Sequence, residues 1–177
     1  DGDMYAEGGN HMIHTIRRNP DITVLAHDNR VYGLTKGQAS PTSPLGFVSP
    51  TTPKGVTSVP FNPIAVAVAL DASFVAQASA GDIEKTKEII KKAISHKGFS
   101  LVNVLQPCVT FNRVNTYQWF KQHTYYLGDD YDPTDRMAAM RKAFETEKLP
   151  LGVIYVRERE VFEETLPAYK ASSAPLY

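Results

Sequence analysis

The chain has 177 residues, 42% of them hydrophobic, and equal numbers of acidic and basic side chains, so its formal net charge is zero. That is enough apolar material for the core of one domain, and the missing net charge removes the electrostatic case for nucleic acid or an anionic membrane as the main partner. No apolar run reaches the about 18 residues needed to cross a bilayer, there is no secretory pattern, and a single cysteine cannot close an internal disulfide, which fits a reducing cytoplasm.

Asp1-Gly2-Asp3 forms a tight turn ahead of a helix predicted over Met4 to Asn19, with Met12, Ile13 and Ile16 on one side and a stop at Asn19-Pro20. Ile22 to Ala26 reads as a short buried strand that delivers Asp28 and Asn29 at its C-terminal end, where open α/β sheets place their ligands. Gln38 to Pro63 carries prolines at 41, 44, 50, 53, 60 and 63 and shows neither a strand nor a helix period, so 38–63 is a long Pro/Ser/Thr-rich loop. It either lies against a ligand or partner or is a plain insertion.

Ile64 to Leu70 is a helix and Phe74 to Ala78 a strand. Gly81-Asp82 caps a helix over Ile83 to Lys97, with Ile83, Ile90, Ala93 and Ile94 inward and Lys85, Lys87, Lys91 and Lys92 forming a solvated face. Gly98 ends it, and the strand Phe99 to Leu105 leads to Gln106-Pro107-Cys108. From Val109 to Tyr131 the chain is aromatic and irregular, suited to an interface or to a local core. A helix from Asp132-Pro133 to Ala143 and a strand from Leu151 to Val156 follow, and the charged tail after Arg157 covers an edge or reaches a partner. Alternation of apolar runs with helical patterns gives an α/β fold, a mostly parallel sheet with helices on both faces.

Chemistry concentrates at the start. A diphosphate would be repelled by the carboxylates of Asp1 and Asp3 unless a cation lay between, and magnesium, which takes oxygen ligands from one or two carboxylates and from phosphate, suits the gap. Gly2 leaves room for phosphate to approach the backbone, and a following helix N-terminus favours an anion. Taken alone, Asp-Gly is a common turn pair, and Cys108 alone reads as a small buried hydrophobe. His11 and His14 lie three apart without a third soft ligand nearby. His11 stands beside Gly8-Gly9-Asn10 and is expected to face a bound ligand.

Asp1-Gly2-Asp3, the spacing to Asn29, Tyr32-Gly33-Leu34-Thr35-Lys36-Gly37-Gln38 and Pro107-Cys108 together resemble the β subunit of the 2-oxoacid:ferredoxin oxidoreductases. The family signature is Gly-Asp-Gly-Asp, so the chain is expected to be a C-terminal fragment of a single thiamine-diphosphate-binding domain, truncated at its N-terminus. The resemblance implies that Asp1, Asn29 and the Val31 carbonyl hold Mg2+ and that Gly2, Asp3, Gly33 and Leu34 line the cofactor. It further implies that Cys108 is one of four ligands of a 4Fe-4S cluster, the other three lying upstream. Lys36 is the candidate contact for the substrate carboxylate.

The implied reaction is oxidative decarboxylation of a 2-oxoacid, with 2-oxoglutarate favoured over pyruvate, giving acyl-CoA and CO2 with electrons passed to ferredoxin. Its partners would be an α (or fused α/γ) subunit, ferredoxin and coenzyme A. Two rivals are a cluster-free thiamine-diphosphate decarboxylase or synthase and a non-catalytic scaffold subunit.

Overall fold

The computed structural model of the chain describes residues 1–171, and the end of the charged tail, 172–177, lies outside the described residues. Five strands form one sheet: β1 (Thr23–Asp28), β2 (Phe74–Ser79), β3 (Ser100–Leu105), β4 (Thr124–Tyr126) and β5 (Leu149–Val156), in the order β1-β3-β2-β5-β4. β1, β3 and β2 run parallel, β4 pairs parallel with β5, and only the β2–β5 pairing is antiparallel. The register makes the first three strands finish level, with Asp28 opposite Leu105 and Leu105 opposite Ser79. That shared C-terminal edge is where the chemistry-bearing loops leave the sheet.

Helices cover both faces. On one lie a π-helical turn (Asp3–Glu7), α1 (Gly9–Arg18), α2 (Pro63–Ala69) and α5 (Arg136–Ala143), burying Met12, Ile16, Val68 and Ala139 against Val75, Leu101 and Ile154. On the other, α3 (Ile83–Ser95) packs Ile89 and Ala93 onto Phe74, Ala76, Val102 and Val104. Full burial of one such aliphatic side chain contributes about 1.5–3 kcal/mol, so these two layers are the main source of stability.

Several predicted elements differ in detail. The first helix is not one α-helix. Gly8 N–H donates to the Asp3 carbonyl at 2.6 Å, a wide turn closed around a glycine because a Cβ at Gly8 would lie 2.6 Å from that carbonyl. Ile13 is partly exposed while Met12 and Ile16 are buried. β1 extends to Asp28 and is an edge strand, not a buried one, with Leu25 exposed.

In α3 the inward stripe is Ile89 and Ala93. Ile83 (74% exposed) and Ile94 (65%) face solvent, since only the arc through positions 86, 89 or 90 and 93 meets the sheet. The stretch predicted as irregular from Val109 to Tyr131 contains α4 (Tyr117–His123), capped by Thr116, and then β4. Its aromatics divide: Phe120 is buried with Trp119 edge-on to it, while Phe111 and Tyr117 are exposed. α5 starts at Arg136 because Asp135, not Asp132, accepts the first free amides, those of Met137 and Ala138.

The tail forms two short helices, α6 (Phe162–Thr165) and α7 (Pro167–Ala171), docked at the N-terminal end of the sheet, opposite the ligand edge. Asn19 organises that end. It adopts a left-handed conformation (φ 56°), its side-chain oxygen accepts from Phe99 N–H at 2.9 Å and from the Ser73 hydroxyl, and its amide donates to the Glu160 carbonyl at 3.1 Å. Asn19→Ala loses the buried partners and the side chain that tolerates positive φ. The expected destabilisation is about 2–5 kcal/mol in a denaturant titration, from about 1–2 kcal/mol of backbone strain and about 1–3 kcal/mol of orphaned polar groups. Asn19→Gly should recover only the first part, and a loss below about 1 kcal/mol for the alanine variant would contradict this account.

Candidate functional site

The site is built at the level ends of β1 and β3 by three loops. In the first, Asp1 is tied to the end of β1 by its backbone nitrogen, which donates to the His27 carbonyl at 2.5 Å. Its carboxylate uses one oxygen only: Oδ2 accepts from the hydroxyls of Ser40 and of Thr42, the latter at 2.6 Å. Oδ1 accepts no hydrogen bond from the described residues. Both hydroxyls come from the proline-rich loop, whose Ser40, Thr42 and Ser43 are buried and whose Ser43 hydroxyl donates to the Arg30 carbonyl at 2.7 Å. The loop is thus part of the site and is ordered by turns and side-chain hydrogen bonds.

In the second loop, Asn29 Oδ1 accepts from Val31 N–H at 3.0 Å, a side-chain turn that leaves a second lone pair free. Arg30 takes a left-handed conformation (φ 59°), and its guanidinium stacks over Trp119 at 5.1 Å and Phe120 at 5.4 Å. Burial lowers its pKa and the nearby Asp28 charge works the other way. Val31 is buried, and its carbonyl accepts no hydrogen bond from the described residues.

The next turn is closed by Tyr32 N–H to the Gln38 carbonyl at 2.8 Å and Gly37 N–H to the Tyr32 carbonyl at 3.0 Å. It presents Leu34, fully exposed, and Lys36, exposed at φ 64°. The Tyr32 ring lies against buried Gly2, where a Cβ would come within 2.1 Å of a ring carbon.

The third loop carries Cys108, a free, half-buried thiol. Its sulfur accepts from Phe111 N–H at 3.5 Å and stands 3.8 Å from where a Cβ of Gly33 would be. Phe111 packs on Gly37, and the buried Asn112 side chain donates to the Asn29 carbonyl at 3.0 Å. The cysteine loop and the Asn29 loop are therefore one packed unit.

Beneath these loops runs a buried polar chain. Asp28, 3% exposed, accepts from Thr42 at 2.7 Å and from Asn103 Nδ2 at 3.3 Å. Asn103 also donates to Gln77 at 3.1 Å and accepts from the Tyr5 hydroxyl at 2.7 Å, while Gln77 donates to the Pro150 carbonyl at 2.9 Å. Burial, then the charge of Asp28, pushes the Tyr5 hydroxyl pKa well up, so it remains a donor.

The structure brings Asp1, Gly2, Asn29, Val31, Gly33 and Cys108 into one edge of the sheet. Asp3 is exposed at the start of the π turn, and among the described residues only its carbonyl is engaged. His11 is exposed on α1 beside Asp3, Gly8 and Met12, on the outer side of the helix rather than in this cluster.

Ser40, Thr42, Asn103 and Asn112 are site residues that sequence reasoning did not single out, and Asp28, which it placed with Asn29 at the ligand edge, it gave no role. The one available signal was Asp28 standing directly before Asn29. No group of three or more His, Cys, Asp or Glu side chains suited to a metal occurs among the described residues. The donor set here is one carboxylate oxygen, one amide oxygen and one backbone carbonyl, all hard oxygen atoms with vacant lone pairs, and it fits magnesium completed by phosphate and water.

The α/β fold, with its loops gathered at one sheet edge, is that of a thiamine-diphosphate-binding domain by its family match. Residues 1–104 match the family described as thiamine pyrophosphate enzyme, C-terminal TPP binding domain, and residues 108–171 match the family described as the C-terminal part of the pyruvate ferredoxin oxidoreductase beta subunit.

The 2-oxoacid:ferredoxin oxidoreductase subunit beta of Saccharolobus solfataricus is 42% identical over 170 residues, covering 89% of this chain and 56% of that protein. The 2-oxoglutarate oxidoreductase subunit KorB of Mycobacterium tuberculosis is 47% identical over 112 residues, 63% of this chain and 30% of that protein. A solved 2-oxoglutarate:ferredoxin oxidoreductase from Magnetococcus marinus, with 2-oxoglutarate, coenzyme A and succinyl-CoA bound, superposes with a TM-score of 0.93 at 37% identity, covering 97% of this chain and 59% of that one. The chain belongs to the β subunits of the 2-oxoacid:ferredoxin oxidoreductases, and it spans a little over half the length of the Saccharolobus relative and of the Magnetococcus structure.

Gly2 offers a direct test of the packing. Gly2→Ala must push the Tyr32 ring aside, and such overpacking costs about 1–3 kcal/mol. Thiamine diphosphate binding, measured by equilibrium dialysis, is expected to weaken roughly tenfold or more. Adding Tyr32→Ala should restore part of the affinity; binding unaffected by Gly2→Ala would contradict the packing.

Proposed function

We propose that the chain is the cofactor-holding part of a 2-oxoacid:ferredoxin oxidoreductase β subunit, acting as one thiamine-diphosphate-binding unit in oxidative decarboxylation of a 2-oxoacid, 2-oxoglutarate in preference to pyruvate. The observation that carries the electron-transfer half is the position of Cys108 against Gly33, locked there by Asn112. Half-buried beside the turn proposed to line the cofactor, the thiol suits a ligand better than a core residue. The preference for 2-oxoglutarate is supported by the KorB relatives and by the 2-oxoglutarate-bound neighbour.

Thiamine diphosphate, when bound, supplies the nucleophilic carbon and the electron sink that decarboxylation needs. This chain's residues do the placing. Asp1, through its free Oδ1, Asn29 through its side-chain oxygen and Val31 through its carbonyl would hold Mg2+, and Gly2, Asp3, Gly33 and Leu34 would line the diphosphate and the thiazolium. Asp3 would do so through its backbone, because its carboxylate repels phosphate.

Lys36, exposed on a turn whose left-handed backbone aims it outward, would bind the carboxylate of the oxoacid. Cys108 would give one thiolate to a 4Fe-4S cluster, whose remaining ligands lie outside this chain, since a cluster of this kind takes four. The α subunit, coenzyme A and ferredoxin complete the reaction. No helix among the described residues is long and apolar enough to cross a membrane.

Two variants of the complete enzyme test this reading. Cys108→Ser should lose iron and acid-labile sulfide and stop ferredoxin reduction while still binding thiamine diphosphate. Lys36→Ala should raise KM for the oxoacid roughly tenfold, the scale of one lost charge-assisted hydrogen bond, and leave cofactor affinity unchanged. Full iron content in the serine variant would remove the cluster from the proposal, and unchanged kinetics would remove Lys36.

A further inference from the structure

Asp28 has no place in the magnesium ligand set, yet it is the most buried carboxylate of the site and the junction of its hydrogen bonds. Thr42 Oγ1 lies 2.7 Å from Asp28 Oδ1 and 2.6 Å from Asp1 Oδ2. A hydroxyl has one proton and can donate to only one of two carboxylates at a time. The other donors to Asp28, Arg30 N–H and Asn103 Nδ2, are both at 3.3 Å, at the long end for a hydrogen bond. No salt bridge reaches Asp28 among the described residues. Two carboxylates thus face each other across one hydroxyl, with too few protons between them and little water to screen their repulsion.

We propose that Asp28 is a positioning residue for the cation site, acting on Asp1 through the Thr42 hydroxyl. This inference rests on the reading of Asp1 as a magnesium ligand. Two effects follow from the geometry. Thr42 and Ser40 fix one oxygen of Asp1, so the other points at a single place and no rotamer has to be frozen on binding. The charge of Asp28 makes the site more negative than its ligands alone. A cation bound by Asp1 offsets the repulsion between the two carboxylates and lets Thr42 turn its proton to Asp28. Asn103, held by Tyr5 and Gln77, keeps Asp28 from swinging away. The π turn that carries Tyr5, the end of β1, the centre of β3 and the proline-rich loop are so coupled to one cation.

The test is a Mg2+ titration of thiamine diphosphate binding to the complete enzyme, followed by equilibrium dialysis without turnover, with the thermal midpoint of each variant recorded. Thr42→Val keeps the shape and removes the hydroxyl, Thr42→Ser keeps the hydroxyl, and Asp28→Asn removes the charge at constant size. The half-saturating Mg2+ concentration should rise roughly tenfold or more for Thr42→Val and for Asp28→Asn, as for other residues that orient a metal ligand. Thr42→Ser should stay close to wild type, and the double variant should fall short of the product of the two single effects because both act on one relay.

If Thr42→Val does not fold, Asp28→Asn carries the test by itself. Wild-type Mg2+ dependence in Asp28→Asn, or in a folded Thr42→Val, overturns the inference and leaves the assignment of Asp1 standing. Wild-type enzyme whose thiamine diphosphate binding ignores Mg2+ overturns both.

Discussion

An anionic cofactor and two buried or half-buried carboxylates cannot share one sheet edge without positive charge between them. The constraint is electrostatic and it orders the rest of the site. Asp1 and Asp28 are brought together because β1 ends level with β3 and because the N-terminal turn is hydrogen-bonded to His27. The protein answers with hydroxyls, not with cations of its own: Ser40 and Thr42 reach Asp1, while the nearest guanidinium, that of Arg30, is stacked on Trp119 and Phe120. Full compensation would fall to the divalent ion proposed above, which would tie the order of the site to loading of the cofactor it carries.

The same edge brings the two kinds of chemistry into contact. The Tyr32–Gln38 turn faces Gly2 on one side through Tyr32 and Cys108 on the other through Gly33, with Asn112 fastening the cysteine loop to Asn29. A residue proposed to hold the cofactor and one proposed to hold a cluster are thus separated by a single glycine turn, and small residues at positions 2 and 33 make that closeness possible. The proposed electron transfer would need little more from this chain than such rigid proximity.

The alternation of strands with helices and the long loop were legible in the sequence because most strands and helices here carry strong periods of their own. α4 and β4 were not, since seven and three residues are too few for a period to emerge from an aromatic-rich stretch. α3 was legible as a helix but not in its facing, because Ile83 and Ile94 are apolar residues lying off the arc that meets the sheet. The positions of Asp1 and Asn29 were visible from their spacing and from family likeness. Asp28 was visible at the ligand edge, but its partners Thr42 and Asn103 were not, because these contacts join a loop without period to the end of β1 and the middle of β3, and no local pattern records a hydrogen bond across 14 or 75 residues.

The decisive measurement is the position of the metal in crystals of the assembled enzyme loaded with thiamine diphosphate and Mn2+ in place of Mg2+, located by anomalous scattering. The account predicts one peak within bonding distance of Asp1 Oδ1, the Asn29 side-chain oxygen and the Val31 carbonyl, with the diphosphate on its far side. A peak held by other residues, or a diphosphate bound away from these two loop tips, would contradict it.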